Sequence, residues 1–217
     1  MKKVQADKVI EILSQKYPMP KPALEFSSEY QLLVAVILSA QCTDKRVNEV
    51  TRVLFDKYPT PEKMMEVSLE ELKSIIFPCG LYNNKAKNIL SATKSIIEKF
   101  SGQVPSTFEE LLTLDGVGRK TANVVVSVAF NTPAIAVDTH VFRVSQRIGL
   151  AKGNTPDEVE EKLKKIIDKD KWSRSHHYLI FLGRERCKAI NPDCDNCEIN
   201  HVCEKKIKKR KRFKEQK

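Results

Sequence analysis

The chain has 217 residues, of which 41% are hydrophobic and 30% charged, with 7 Gly and 10 Pro. That is the composition of a globular protein, and it excludes fibrous and low-complexity classes. No apolar run approaches the roughly 20 residues a membrane helix needs, and the opening Met1-Lys2-Lys3-Val4-Gln5-Ala6-Asp7 has no apolar stretch behind its lysines, which excludes the membrane and secreted classes. The net charge of +10 sits mostly at one end: residues 205–217 hold nine Lys/Arg against one Glu, and the rest of the chain holds 29 against 27. A basic arm of this kind attracts a polyanion without reading its sequence. The blander reading is a solvated tail that aids solubility.

In chain order the pattern is helical nearly throughout. Val9, Ile10, Ile12 and Leu13 begin an amphipathic helix that stops near Tyr17-Pro18, and residues 19–27 read as a loop. Ser28 caps a buried helix containing Leu32 to Leu38. Thr43-Asp44 opens the next, which runs toward Tyr58. Thr60-Pro61 and Ser68 are further N-cap signals, and Ser68 with Glu71 makes a capping box. Asn83 to Phe100 reads as a long helix. Ser106 or Thr107 opens another that ends at Leu114, Thr155-Pro156 caps a helix over 156–168, and 172–185 is the last long one. Val124-Val125-Val126 and Ile135-Ala136-Val137 are β-branched but short, with no hairpin partner. The expected class is all-α, without an internal repeat, and Asn131-Thr132-Pro133 is the best candidate linker.

Four of the six cysteines crowd together as Cys187-x6-Cys194-x2-Cys197-x5-Cys203, while Cys42 and Cys79 stand beside apolar helices and read as plain buried thiols. A chain of this size buries roughly 70% of its unfolded surface and needs no disulfide staples. Clustered thiols then point to a metal: zinc or an iron–sulfur cluster. A zinc ribbon uses two close knuckles and this segment has one, which favours the cluster.

Leu114-Asp115-Gly116-Val117-Gly118-Arg119-Lys120-Thr121 lies between two expected helices. Glycines one residue apart permit close backbone approach, and the turn's N–H groups together with the next helix N-terminus form an anion site suited to a DNA phosphate. Lys120-Thr121 superficially suggests a P-loop, but Arg119 stands where the second glycine belongs and no strand precedes it. The alternative is a tight inter-helix turn. Lys120 falls in the first helical turn, where the dipole favours a neutral amine, and a neutral amine forms Schiff bases with carbonyl-level carbons. Otherwise it is a surface lysine or a phosphate contact. Asp138 ends an apolar stretch just before a helix, so it reads either as an N-cap or as a carboxylate that takes a proton and stabilises a cation, and both roles can hold together. His140 reads as structural. Arg143 would face phosphate or pair with an acid.

Together these residues resemble the endonuclease III family of DNA glycosylases. The resemblance is carried by Leu38-Ser39-Ala40-Gln41, Gly80-Leu81-Tyr82-Asn83, the hairpin through Lys120-Thr121-Ala122-Asn123-Val124-Val125, Val137-Asp138-Thr139-His140 and the 6-2-5 cysteine spacing. It covers nearly the whole chain, and the set is far more specific than any one member. It implies a two-domain helix-hairpin-helix glycosylase fold. An N-terminal helix (1–21) would join an iron–sulfur cluster domain (133–204), a six-helix barrel would occupy 22–132, and 205–217 would be a basic tail. DNA would cross the groove between the domains. Cys187, Cys194, Cys197 and Cys203 would hold a [4Fe-4S] cluster. Lys120 would attack C1′ of an oxidised pyrimidine nucleotide, expel the base and, as an imine, break the strand by β-elimination, with Asp138 assisting. Gln41 and Leu81 would fill the space left by the extruded base, and Gly116, Val117, Gly118 and Arg119 would join Lys120 in contacting DNA. The expected partner is double-stranded DNA with an oxidised pyrimidine or an abasic site, met in the bacterial cytoplasm by a monomer.

Two positions depart from the family pattern. Asp115 stands where proline is usual, placing an acid beside the expected phosphate site. The loop Lys188-Ala189-Ile190-Asn191-Pro192-Asp193 has one basic residue and one acid where relatives are richer in Lys/Arg, and the basic tail would compensate. Two competing readings are weaker. The related adenine glycosylase carries no lysine at the hairpin position and has an extra C-terminal domain. A cluster-bearing damage-binding or redox-sensing protein would need neither Lys120 nor Asp138.

Overall fold

The computed structural model describes residues 2–20, 22–205 and 207. Among them the regular structure is helical, with no strand: α1 (Lys3–Lys16), α2 (Glu29–Leu38), α3 (Asp44–Lys57), α4 (Pro61–Met64), α5 (Leu69–Ile76), α6 (Tyr82–Phe100), α7 (Phe108–Leu111), α8 (Arg119–Ala129), α9 (Thr139–Ile148), α10 (Pro156–Ile166) and α11 (Trp172–Glu185). Most of the tail at 205–217 lies outside the described residues. No described helix is long and apolar enough to cross a membrane.

Helix starts follow their caps. Ser28, Thr43, Thr60, Ser68, Thr107, Asp138 and Thr155 each accept a backbone N–H three residues on. Such a cap contributes about 1 kcal/mol. The helix opened by Thr107 is shorter than its pattern suggests: α7 lasts four residues and the chain turns through Leu114. The helix capped by Thr155 ends at Ile166.

The chain divides into two compact units. One comprises residues 22–136 and carries α2 to α8. At its centre is α2, apolar all round and buried from Tyr30 to Leu38, as expected of a core helix. It packs against α8. The Val124–Val126 run is helical within α8 because Val125 and Val126 gain burial there, and burial outweighs the weak β-preference of valine. Leu54, Met64, Leu72, Ile89, Ile96 and Leu111 complete the core. Ala134 also packs into it, so the segment after α8 belongs to this unit.

The other unit joins both ends of the described chain, residues 2–20 with 137–205 and 207. Here α11 packs on α9 and on α1. Gly183 lets α11 approach α9 closely: a Cβ there would stand 3.0 Å from His140 Nδ1 and 3.1 Å from Val144 Cγ2. The Tyr17 ring lies 5.4 Å from that of Phe181, the Tyr17 hydroxyl donates to Glu185 at 2.9 Å, and Lys3 pairs with Asp168.

Candidate functional site

In the 22–136 unit the glycine hairpin connects α7 to α8. Gly116 has φ +79, and a Cβ on it would meet Asn88 Cβ at 2.8 Å. Glycine therefore lets the turn rest on α6. The Ser91 hydroxyl, on α6, donates to the Asp115 carboxylate at 2.5 Å. The acid that departs from the family pattern is thus engaged with a neighbouring helix. Val117 is buried and its N–H closes the turn on the Leu114 carbonyl at 3.1 Å. Gly118 is the N-cap of α8 and carries no side chain to occupy the first-turn N–H groups, which is the arrangement that binds anions. The Arg119 guanidinium lies 5.2 Å from the Phe108 ring centroid, a cation–π contact. Lys120 is exposed on the first turn of α8.

Gln41 and Leu81, which follow the ends of α2 and α5, share an unusual backbone. Both have left-handed φ, 54° at Gln41 and 49° at Leu81, with Gly80 at 66°. Both side chains are exposed, Leu81 by 56%. The Phe77 ring beside it is 61% exposed and lies 4.9 Å from the Tyr82 ring. Beneath the two segments sits Lys85, which sequence reasoning passed over. It is 4% exposed, and its Nζ donates to the carbonyls of Leu38 at 2.9 Å, Ala40 at 2.7 Å and Cys79 at 2.9 Å. Cys79 is buried as expected, its thiol pushed up to about 12 by burial and by its hydrogen bond with Cys42, which is only half-buried.

In the other unit Asp138 is the N-cap of α9: its Oδ1 accepts the Val141 N–H at 2.8 Å, and the side chain stays half-buried. The hydrogen bonds of Arg143 run inward, to backbone carbonyls. It donates to the carbonyls of Cys187 at 3.1 Å and Gly183 at 2.9 Å, and lies 3.2 Å from His140 Nδ1. His140 is held below its ordinary pKa by burial, as suits a packed histidine.

The thiols of Cys187, Cys194, Cys197 and Cys203 line a single cavity, together with Arg147 and Leu182. None is in a disulfide. Cys187 follows the C-cap of α11, its N–H bonded to the Leu182 carbonyl at 2.7 Å, and the other three sit on successive turns in which Cys197 N–H reaches Cys194 O and Cys203 N–H reaches Ile199 O. Burial pushes the Cys197 and Cys203 thiols up. Arg147 fastens the loop: it donates to Lys188 O at 2.6 Å and Ala189 O at 3.0 Å and reaches Cys187 Sγ at 3.9 Å. The Lys205 N–H donates to Cys203 Sγ at 3.3 Å. Four thiols lining one cavity are a donor set that fits zinc or an iron–sulfur cluster. His201 is exposed and does not line this cavity.

The profile of the HhH-GPD superfamily of base excision DNA repair proteins matches residues 34–169. The chain is 50% identical to endonuclease III of Rickettsia felis over 91% of its own length and 93% of the relative's. It is 49% identical to that of Bacillus subtilis, covering 96% and 95%, and 44% identical to that of Escherichia coli K12, covering 96% and 99%. Among solved structures it resembles a non-covalent endonuclease III–DNA complex, with a TM-score of 0.90 and 48% identity over 94% of this chain and 96% of that one. A trapped covalent endonuclease III–DNA intermediate matches equally well, at 0.90 and 48% over 94% and 97%. A thermostable thymine-DNA glycosylase shares the fold, with a TM-score of 0.80 at 21% identity over 92% and 95%.

Proposed function

Because the chain belongs to the endonuclease III family, within the HhH-GPD superfamily of base excision DNA repair proteins, we propose that it removes oxidised pyrimidines from duplex DNA through Lys120 and then cuts the abasic strand. The activity is that of a DNA glycosylase with abasic-site lyase activity.

The observation that carries the assignment of Lys120 is its place: an exposed amine on the first turn of a helix whose N-cap is glycine, directly after a phosphate-binding type of turn. The backbone N–H groups of Gly116 and Gly118 would grip a DNA phosphate, Val117 would hold the turn between them in shape through its bond to Leu114, Arg119 would add charge beside them, and the amine would then stand at a fixed distance from the sugar. The target base must first leave the stack, at a cost of a few kcal/mol. Leu81 would enter as an apolar wedge, and the Gln41 amide would satisfy the orphaned partner base.

The Lys120 amine attacks C1′, and the bond from C1′ to the base breaks, the base leaving with the electron pair and taking up the proton that the amine sheds through Asp138. The sugar opens to an imine. Loss of a proton from C2′ then expels the 3′ phosphate, and water releases the chain from Lys120. The Asp138 carboxylate takes the proton that the amine must shed and stabilises positive charge on the sugar, while its Oδ1 remains the cap of α9.

The thiols of Cys187, Cys194, Cys197 and Cys203 would hold a [4Fe-4S] cluster, which as a cross-link would fix the loop fastened by Arg143 and Arg147. The chain would act as a monomer on damaged duplex in the bacterial cytoplasm, with its basic residues 205–217 adding charge toward DNA.

The test is borohydride trapping on a duplex with one thymine glycol. A covalent protein–DNA band with this chain and none with Lys120→Gln is expected. No band on that duplex, but one on an abasic duplex, would reject the proposed lesion class. No band on either, from cluster-loaded protein that binds DNA, would reject Lys120 as the nucleophile.

A further inference from the structure

Lys85 is a buried cation whose acceptors are neutral carbonyls. Its three hydrogen bonds, to Leu38, Ala40 and Cys79, match the three donors of an ammonium. Burying a charge costs several kcal/mol unless it is fully bonded. Here part of that cost is offset because Leu38 is the last residue of α2, where the helix dipole is negative and the final carbonyls lack intrahelical partners. A buried lysine therefore holds the last carbonyl of α2, one just beyond that helix and one just before Gly80.

The residues next in the chain give those carbonyls their importance. Gln41 is one residue beyond Ala40, and Leu81 is two beyond Cys79. Both are non-glycine residues with left-handed backbone, a conformation that costs roughly 1–2 kcal/mol per residue and persists only where the surroundings impose it. One nitrogen atom thus sets the spacing between the two backbones that carry these exposed side chains.

We propose that Lys85 is a positioning residue for base extrusion, fixing the separation at which Gln41 and Leu81 enter the duplex. The inference rests on the proposed gap-filling roles of those two residues. Lys85 is buried, so it would act through Gln41 and Leu81 rather than by touching DNA itself. Its contribution is to make the two side chains arrive as one rigid fork, so that ordering them is not a cost of binding.

The test compares two reactions of the cluster-loaded protein. Release of thymine glycol from a duplex requires extrusion and filling of the gap. Cleavage of an abasic site in single-stranded DNA uses Lys120 but has no stack and no partner base. The ratio of the two single-turnover rates cancels any loss of active protein. In Lys85→Met the ratio is expected to fall about tenfold or more, and in Lys85→Arg, which keeps the charge with a different reach, about threefold. If Lys85→Met does not fold, the ratio for Lys85→Arg decides alone. Ratios within about twofold of the parent, while Gln41→Ala and Leu81→Ala lower theirs, would overturn the role of Lys85. If Gln41→Ala and Leu81→Ala also leave the ratio unchanged, the gap-filling reading itself fails and the inference falls with it.

Discussion

The Ser91 hydroxyl donates a hydrogen bond to the Asp115 carboxylate at 2.5 Å, tying α6 to the residue just before the glycine pair. The bond keeps an acid engaged beside a turn proposed to bind phosphate. Asp115→Asn retains an acceptor for Ser91 and removes the charge, so it is expected to tighten binding of a lesion-bearing duplex about two- to fivefold at low salt. Ser91→Ala releases the carboxylate and is expected to weaken binding by about the same factor. Fluorescence anisotropy in a Lys120→Gln background, which prevents turnover, measures both.

Asp138 caps α9 and is proposed to take a proton during the reaction, and one substitution separates the two. Asn caps a helix as well as Asp does, so Asp138→Asn is expected to leave the melting temperature nearly unchanged while single-turnover base release falls about 100-fold. Asp138→Ala loses both, with about 1 kcal/mol of stability gone from the cap. Equal losses of stability in the two variants would show that the carboxylate matters to α9 through more than its cap.

Arg147 holds the loop that begins at Cys187 through two carbonyls. With those bonds removed in Arg147→Ala, the loop closes less firmly over the four thiols. The expected result is iron loss to a chelator several times faster than in the parent, which should start with about four irons per chain. Iron analysis and the decay of visible absorption follow it without reference to DNA.

His177 stacks near Phe181 and is held below its ordinary pKa of 6.5 by burial. The folded state therefore takes up a proton less readily than the unfolded chain, and stability falls as the pH drops through that value. His140 acts in the same direction. Urea unfolding at about pH 7.5 and about pH 5.5 should give a lower midpoint in acid, and His177→Phe should lessen the difference.

These features were unequally legible in the amino-acid sequence. Ser28, Ser68, Asp138 and Thr155 announce helix starts because a cap and its N–H lie three residues apart. The cysteine spacing is equally local. Lys85 was hidden because Tyr82-Asn83-Asn84-Lys85 reads as a polar helix start, whereas its acceptors at Leu38 and Ala40 lie 47 and 45 residues earlier. The partner of Asp115 is 24 residues away. Arg143 reads as a phosphate contact or the partner of an acid, and only the packing of α11 on α9 brings the Cys187 and Gly183 carbonyls to it. Local chemistry is written in short motifs, while the supports that aim it come from tertiary contact.

The unit that contains the four clustered cysteines is assembled from both ends of the described chain. Tyr17 on one side of that junction and Glu185 on the other are 168 residues apart. During synthesis α1 leaves the ribosome first but has nothing to pack on until α11 has emerged, whereas residues 22–136 can close their own core in the interval. At typical elongation rates of about 5–20 residues per second, α1 waits on the order of ten seconds with Val9, Ile10 and Leu13 uncovered. The order of synthesis thus favours completing the hairpin that carries Lys120 before the four clustered cysteines can gather.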